Sequence, residues 1–200
     1  RAHLVSLGIV PEDKTTLIPG TGVDMEQFKP LPLELKEHGP PVVIMAARLL
    51  WDKGVAEYVT TAKAIRSQGI EARFLLAGEP DYGNPDSVSD DVLDGWRREG
   101  VVEILGHRSD MSDLLPQADI AVLPSRYHEG VPLFLLEAAA SGLALVGSDI
   151  EGCRMVIEDG INGFLVPLDD PKKLQELLVI LIDYGDLRQK MGRKSRQIAE

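Results

Sequence analysis

Three short stretches set chemically able side chains directly after runs of apolar residues. In open α/β sheets, ligands gather beyond the carboxyl ends of the strands, so these are the positions to inspect. The first is Ala47-Arg48-Leu49-Leu50-Trp51-Asp52-Lys53-Gly54, following the apolar run 42–46. Arg48 leaves the strand end and Lys53 adjoins a helix start, so two cations and free backbone N–H groups can converge on one diphosphate. The alternative, two solvated loop cations, stays open on spacing alone.

The second stretch follows 120–123 and runs from Pro124 through Glu129, Gly130, Val131, Pro132 and Leu133 to Glu137. Pro132 suits the first position of a helix, which would turn the N–H groups of Gly130, Val131 and Leu133 outward as an anion-binding terminus. Glu137 lies among Phe134, Leu135, Leu136 and three alanines, where an unpaired carboxylate costs several kcal/mol. It needs either an internal arginine, for which Arg126 is the candidate, or the hydroxyls of a ribose or sugar. Glu129, eight positions earlier, can face the same cavity. The third stretch, Gly106-His107-Arg108-Ser109-Asp110, offers main-chain groups to a flat base edge, although a single His107 is more often a surface histidine.

The elements that position these residues are β-α units. Strands are expected at 16–18, 42–46, 73–77, 102–105, 120–123, 143–146 and 164–166, several of them apolar throughout, as strands covered on both faces should be. Val55, Val59, Ala62 and Ile65 mark one helix, residues 133–140 a second, and Leu174, Leu177, Leu178 and Leu181 a third. Residues 186–200 read as a charged surface helix, and the proline-bearing segments 29–41 and 78–89 as loops. The fold class is α/β, a Rossmann-like parallel sheet with helices on both faces.

Composition narrows the function. With 200 residues, 1–200 form one domain, too short for two Rossmann-type halves. The net charge of −11 disfavours nucleic acid and anionic membranes as partners and makes each well-placed cation informative. A lone cysteine, Cys153, allows no internal disulfide and suits a reducing compartment. No apolar stretch reaches membrane-spanning length. The chain opens on Arg1 without an initiator Met and stops at Glu200 within a helix-like run, so both ends are expected to be cuts in a longer protein.

Other chemistries lack their residues. Met25 stands where the third glycine of a dinucleotide fingerprint begun at Gly20-Thr21-Gly22 would be, which disfavours nicotinamide. There is no P-loop and no Asp-x-Asp metal motif, the His128-Glu129 pair lacks the second histidine of a zinc protease, and no Gly-x-Ser-x-Gly elbow occurs.

Together the stretches resemble the retaining group 1 glycosyltransferases of the GT-B fold, over nearly the whole chain. The resemblance rests on 19–24 (P-G-T-G-V-D), 47–54 (A-R-L-x-x-x-K-G), the two glutamates Glu129 and Glu137 with seven residues between them, 152–154 (G-C-R) and 159–167 (D-G-I-N-G-F-L-V-P), in that order. It implies that the chain is the nucleotide-sugar-binding half, with the N-terminal acceptor domain outside it. Arg48 and Lys53 would hold the donor diphosphate and Glu137 the ribose. Glu129 and the amides of residues 130–133 would face the transferred sugar, and His107 and Arg108 would offer backbone to the base.

No metal or other cofactor is implied, because protein cations stabilise the departing diphosphate. Residues 83–85 and 106–111 look most like bacterial surface-polysaccharide members, implying a UDP-sugar and a glycan or lipid-linked acceptor. The implied location is cytoplasmic, with association at the inner membrane face reserved for the full-length protein. Two positions depart from the family pattern: Leu133 replaces an arginine or lysine, and Met155 replaces a glutamate. Two other readings remain, a GT-B-shaped nucleotide-sugar epimerase and a non-catalytic nucleotide-sugar-binding module.

Overall fold

The computed structural model describes residues 2–16, 22–32, 35, 39–126 and 130–200. A short helix, α1 (Ala2–Ser6), precedes the α/β body, in which β1 (Val42–Ala46), α2 (Val55–Ser67), β2 (Arg73–Ala77), α3 (Asp90–Glu99) and β3 (Glu103–Gly106) follow one another. The chain continues through α4 (Met111–Leu114), β4 (Ile120–Leu123), α5 (Leu133–Ala140), β5 (Ala144–Ser148), α6 (Glu151–Arg154) and β6 (Gly163–Val166). It finishes with α7 (Pro171–Asp183) and α8 (Gly185–Ala199).

All six strands are parallel, in the order β3-β2-β1-β4-β5-β6. The path runs outward from β1 to one edge, returns to β4, and runs outward to the other edge. Right-handed crossovers in opposite directions put the connecting helices on opposite faces, giving the doubly covered sheet that the sequence implies. The two halves meet between β1 and β4, where the loops leaving adjacent strands diverge and open a crevice. Ile120-Ala121-Val122-Leu123 and Ala144 to Ser148 are buried throughout, as central strands in such a sheet must be.

The expected strands fall within two residues of those found, with one exception: Thr16 lies in no strand, and 17–18 are outside the described residues. Helix α3 is not among the elements anticipated from hydrophobic spacing, because only Leu93 is fully buried on it. Its boundaries are instead written in charge: Asp90 and Asp91 in the first turn, Arg97 and Arg98 in the last, and Gly100 closing it at φ 63°. Helix α8 also differs from the expected surface helix. Met191 and Ser195 are buried, and the Arg196 guanidinium donates to the carbonyls of Met25, Phe28 and Ala140 at 3.3, 2.7 and 2.8 Å. This one side chain ties residues 25–28 to the carboxyl end of α5.

One core runs through the sheet. Tyr58 on α2 is fully buried, with its hydroxyl 2.9 Å from the carbonyls of both Val43 and Leu75, so it can donate to either neighbouring strand. Burial pushes this phenol well above its ordinary pKa.

Candidate functional site

The crevice at the strand reversal is built from interlocked loops. After β1, the chain makes a 3-10 turn, Trp51–Lys53, and ends it at Gly54 with φ 79°. A Cβ on Gly54 would stand 2.1 Å from the Pro124 carbonyl oxygen, so only glycine lets the β1 and β4 exits touch. Arg126 N–H donates to the Asp52 carbonyl at 2.8 Å, locking the same two loops. The loop after β2 is fastened as well, since Leu49 N–H donates to the Glu79 carbonyl at 3.0 Å and Trp51 N–H to that of Asp86 at 2.9 Å. Gly78, at φ 136°, sits where a Cβ would meet the Ala47 carbonyl oxygen at 1.9 Å.

Arg48 emerges from this framework exposed, and Asp81 accepts from its Nη1 at 2.7 Å. Asp81 belongs to the segment read only as a loop, and nothing in its spacing marks it as the partner of Arg48. Lys53 closes the 3-10 turn one residue before Gly54, half-buried, next to the start of α2 as expected.

On the β4 side, Gly130 and Leu133 are exposed while Pro132 is buried. Pro132 caps α5 instead of occupying its first turn: it is extended (φ −69°, ψ 114°), and its carbonyl accepts from Leu135 and Leu136 at 3.1 and 3.2 Å. The first helical residue is therefore Leu133. Its N–H and that of Phe134 find no acceptor among the described residues, so the open end of α5 remains an anion-seeking terminus. Glu129 lies outside the described residues.

Glu137 stands one turn along α5 from Leu133, at i+4 and hence on the same helix face. No hydrogen bond or ion pair engages its half-buried carboxylate among the described residues, and burial raises its pKa above the ordinary range. The suggested structural partner is elsewhere. Arg126 Nη2 lies 2.8 Å from Glu57 Oε1 and 2.9 Å from Asp169 Oδ1, bridging the β4 exit to α2 and to the turn before α7. Among the described residues, Arg126 therefore pairs with Glu57 and Asp169 and not with Glu137. Glu57 and Asp169 are far from Arg126 in sequence, which is why periodicity did not reveal them. Asp169 does carry one mark of constraint, a left-handed backbone (φ 59°) at a non-glycine residue.

Beyond β3, His107 is exposed, with Nδ1 3.9 Å from Glu79 Oε1. Arg108 folds back onto Asp110 through Nε and Nη2, at 2.7 and 2.5 Å. This pairing holds the Asp110 carboxyl below its usual range and fixes the Arg108 guanidinium against it. Leu133 and Met155 are both half exposed, at the carboxyl side of neighbouring strands β4 and β5.

One further motif proves to be architectural. The buried Asn162 accepts from Glu158 N–H at 2.8 Å and donates to the Val156 carbonyl at 2.9 Å, while Asp159 Oδ1 accepts from Leu165 N–H at 2.9 Å. The D-G-I-N-G segment is therefore a turn that launches β6. A cavity of about 230 Å³ lined by Glu57, Arg126, Ser148 and Asp169 opens beside the crevice, and Arg48, Glu137 and His107 do not line it.

A six-stranded parallel sheet whose order reverses between β1 and β4, with helices between its strands, defines a Rossmann-like α/β domain. Residues 40–183 match the family described as Glycosyl transferases group 1, and the chain belongs to that family. It is 35% identical over 198 residues to the N,N'-diacetylbacillosaminyl-diphospho-undecaprenol alpha-1,3-N-acetylgalactosaminyltransferase of Campylobacter jejuni, covering 94% of this chain and 50% of that protein. It is 29% identical over 180 residues to the Escherichia coli UDP-Gal:alpha-D-GlcNAc-diphosphoundecaprenol alpha-1,3-galactosyltransferase, covering 85% and 46%. The chain thus spans about half the length of these curated relatives. Among solved structures, the Anabaena protein Alr3699/HepE in complex with UDP and glucose superposes with a TM-score of 0.75 at 21% identity, over 89% of this chain and 50% of that one.

Proposed function

We propose that this chain is the donor-binding half of a retaining glycosyltransferase, taking a nucleoside diphosphate sugar with UDP as the carrier. The observation that carries the reading is Glu137, a half-buried carboxylate without a partner among the described residues, one helical turn from the open amino terminus of α5. A diphosphate at that terminus would meet unpartnered N–H groups and the Arg48 and Lys53 side chains, and would place its ribose hydroxyls toward Glu137. As the glycosidic bond breaks, the charge that develops on the leaving diphosphate would be stabilised by those same donors, with no metal required. Glu129 and the residue 130–133 amides would face the sugar, and the backbone at His107 and Arg108 would meet the base.

The acceptor is proposed to be a lipid-linked glycan held by a second, N-terminal domain, because two relatives are named for transfer to undecaprenol-linked sugars. Those names favour transfer over interconversion of free nucleotide sugars. The protein would then act at the cytoplasmic membrane face through its substrate; among the described residues no helix is long and apolar enough to cross a membrane.

The test is a thermal-shift and calorimetric screen of UDP, GDP and ADP with their sugars, with and without EDTA. UDP is expected to bind and to raise the melting temperature, with EDTA making no difference. Absence of binding by every nucleotide at about millimolar concentration, equivalent to under ~4 kcal/mol, overturns the reading.

A further inference from the structure

A second cavity, of about 520 Å³, lies at the opposite end of the sheet, where Asp119 precedes β4 and Ser141 precedes β5. Pro30 and Pro32 form one wall, and Arg188 and Arg193 of α8 form another. Its volume is within the range of small-molecule sites. Among the described residues four buried side-chain polar atoms lack a hydrogen-bond partner, and two of them, Ser141 Oγ and Arg188 Nε, belong to residues lining this cavity. Such groups are costly to leave unsatisfied.

Arg188 is held in a particular way. Its Nη1 donates to the carbonyls of Leu181 and Ile182 at 2.6 and 3.0 Å, which anchors the guanidinium to the end of α7. That leaves the Nε–Nη2 edge, the fork that takes a carboxylate or phosphate in two parallel hydrogen bonds. Asp119 forms a long ion pair with this edge, Oδ1 lying 4.0 Å from Nε and beyond hydrogen-bond reach, while Asp119 Oδ2 accepts from Val42 N–H at 2.9 Å. Arg196, which also lines the cavity, is spent on backbone carbonyls and Glu200. Arg193 is exposed with no partner among the described residues.

We propose that this cavity binds a small oxyanion, a phosphate monoester or carboxylate with an apolar body. The anion takes hydrogen bonds from the Nε–Nη2 edge of Arg188, displacing the long Asp119 ion pair, and from the Ser141 hydroxyl, with Arg193 adding charge and the prolines covering the body. The site is separate from the crevice at the carboxyl edge, and it stands whether or not that crevice binds a nucleotide.

The experiment is an NMR titration of the 15N-labelled 200-residue chain with inorganic phosphate, phenyl phosphate and benzoate, reading the Arg188 Nε–H signal and the amides of Ser141, Gly142 and Arg193. Saturable shifts are expected below about 10 mM, with phenyl phosphate tighter than inorganic phosphate; benzoate against phenyl phosphate distinguishes the two head groups. Ser141→Ala and Arg193→Gln, both checked for an unchanged fold by circular dichroism, are expected to weaken binding at least threefold, and Arg188→Lys about tenfold or more. The proposal is overturned if no probe shifts these signals, or if the shifts persist in Ser141→Ala and Arg188→Lys. It is likewise overturned if phosphate instead moves the signals of residues 48–54 and 130–137.

Discussion

Replacing Arg48 and Asp81 separately and together asks whether Arg48 is held in reserve for a diphosphate. In the unliganded chain, Arg48 Nη1 is 2.7 Å from Asp81 Oδ2, with the two side chains 64% and 35% exposed. Exposed pairs of this kind contribute roughly 0.2–1 kcal/mol. A charge-assisted hydrogen bond to a ligand contributes roughly 1.5–3 kcal/mol. Binding that takes Arg48 from Asp81 therefore nets about 0.5–2.8 kcal/mol, so Arg48→Ala should weaken UDP affinity ~2- to 110-fold. Asp81→Asn removes the competitor while keeping the side-chain volume, and should tighten UDP by up to ~5-fold. In the double variant the gain disappears, because Asp81 acts only through Arg48. Isothermal titration calorimetry with UDP on the four proteins measures the cycle. Unchanged affinity in Arg48→Ala, or an Asp81→Asn gain that survives in the double variant, refutes the reasoning.

Three further outcomes are expected. Glu137 has a folded pKa above its unfolded value, so the folded state binds more protons between the two and stability falls as pH rises from about 4.5 through the raised value. Glu137→Gln should flatten that fall and leave the protein at least as stable at pH 7 while weakening UDP; parallel losses of both, by thermal melts and calorimetry, would make Glu137 structural. Tyr58→Phe removes a buried donor from two carbonyls and should cost about 1 kcal/mol, a drop of ~2–4 °C in melting temperature without loss of UDP affinity. A drop under about 1 °C would mean the sheet already satisfies those carbonyls. Gly54→Ala combines a left-handed backbone with a Cβ 2.1 Å from a backbone oxygen, and should destabilise by more than ~2 kcal/mol in urea unfolding. Wild-type stability would show that the β1 and β4 exits can separate.

The sheet was legible because doubly covered parallel strands must be continuously apolar, and 120–123 and 42–46 are almost bare of polar residues. The strand order is visible only in the pairing of the folded sheet, since apolar runs carry no record of their neighbours. At the site, residue types at strand ends singled out Arg48, Lys53 and Glu137. The structure corrected their surroundings: Pro132 caps α5, and Arg126 serves Glu57 and Asp169 instead of Glu137. Those corrections concern partners 69 and 43 residues away from Arg126, where helical and strand periodicity have no reach. Arg196 is the clearest such case, a charge on a mostly polar helix whose role depends on carbonyls from two distant segments.

Around the carboxyl edge every arginine of the site already has a carboxylate: Arg48 has Asp81, Arg108 has Asp110, Arg126 has Glu57 and Asp169, and Arg154 has Asp149. In a chain of net charge −11, this is how cations are kept beside acidic surface without a ligand. Most of these pairs are substantially exposed, so exchanging a carboxylate for a phosphate costs little. Glu137 is the opposite case. Among the described residues it has no cation to surrender, so the proposed nucleoside diphosphate sugar would bring both an anion for the arginines and the amino end of α5, and hydroxyls for the carboxylate on the same helix.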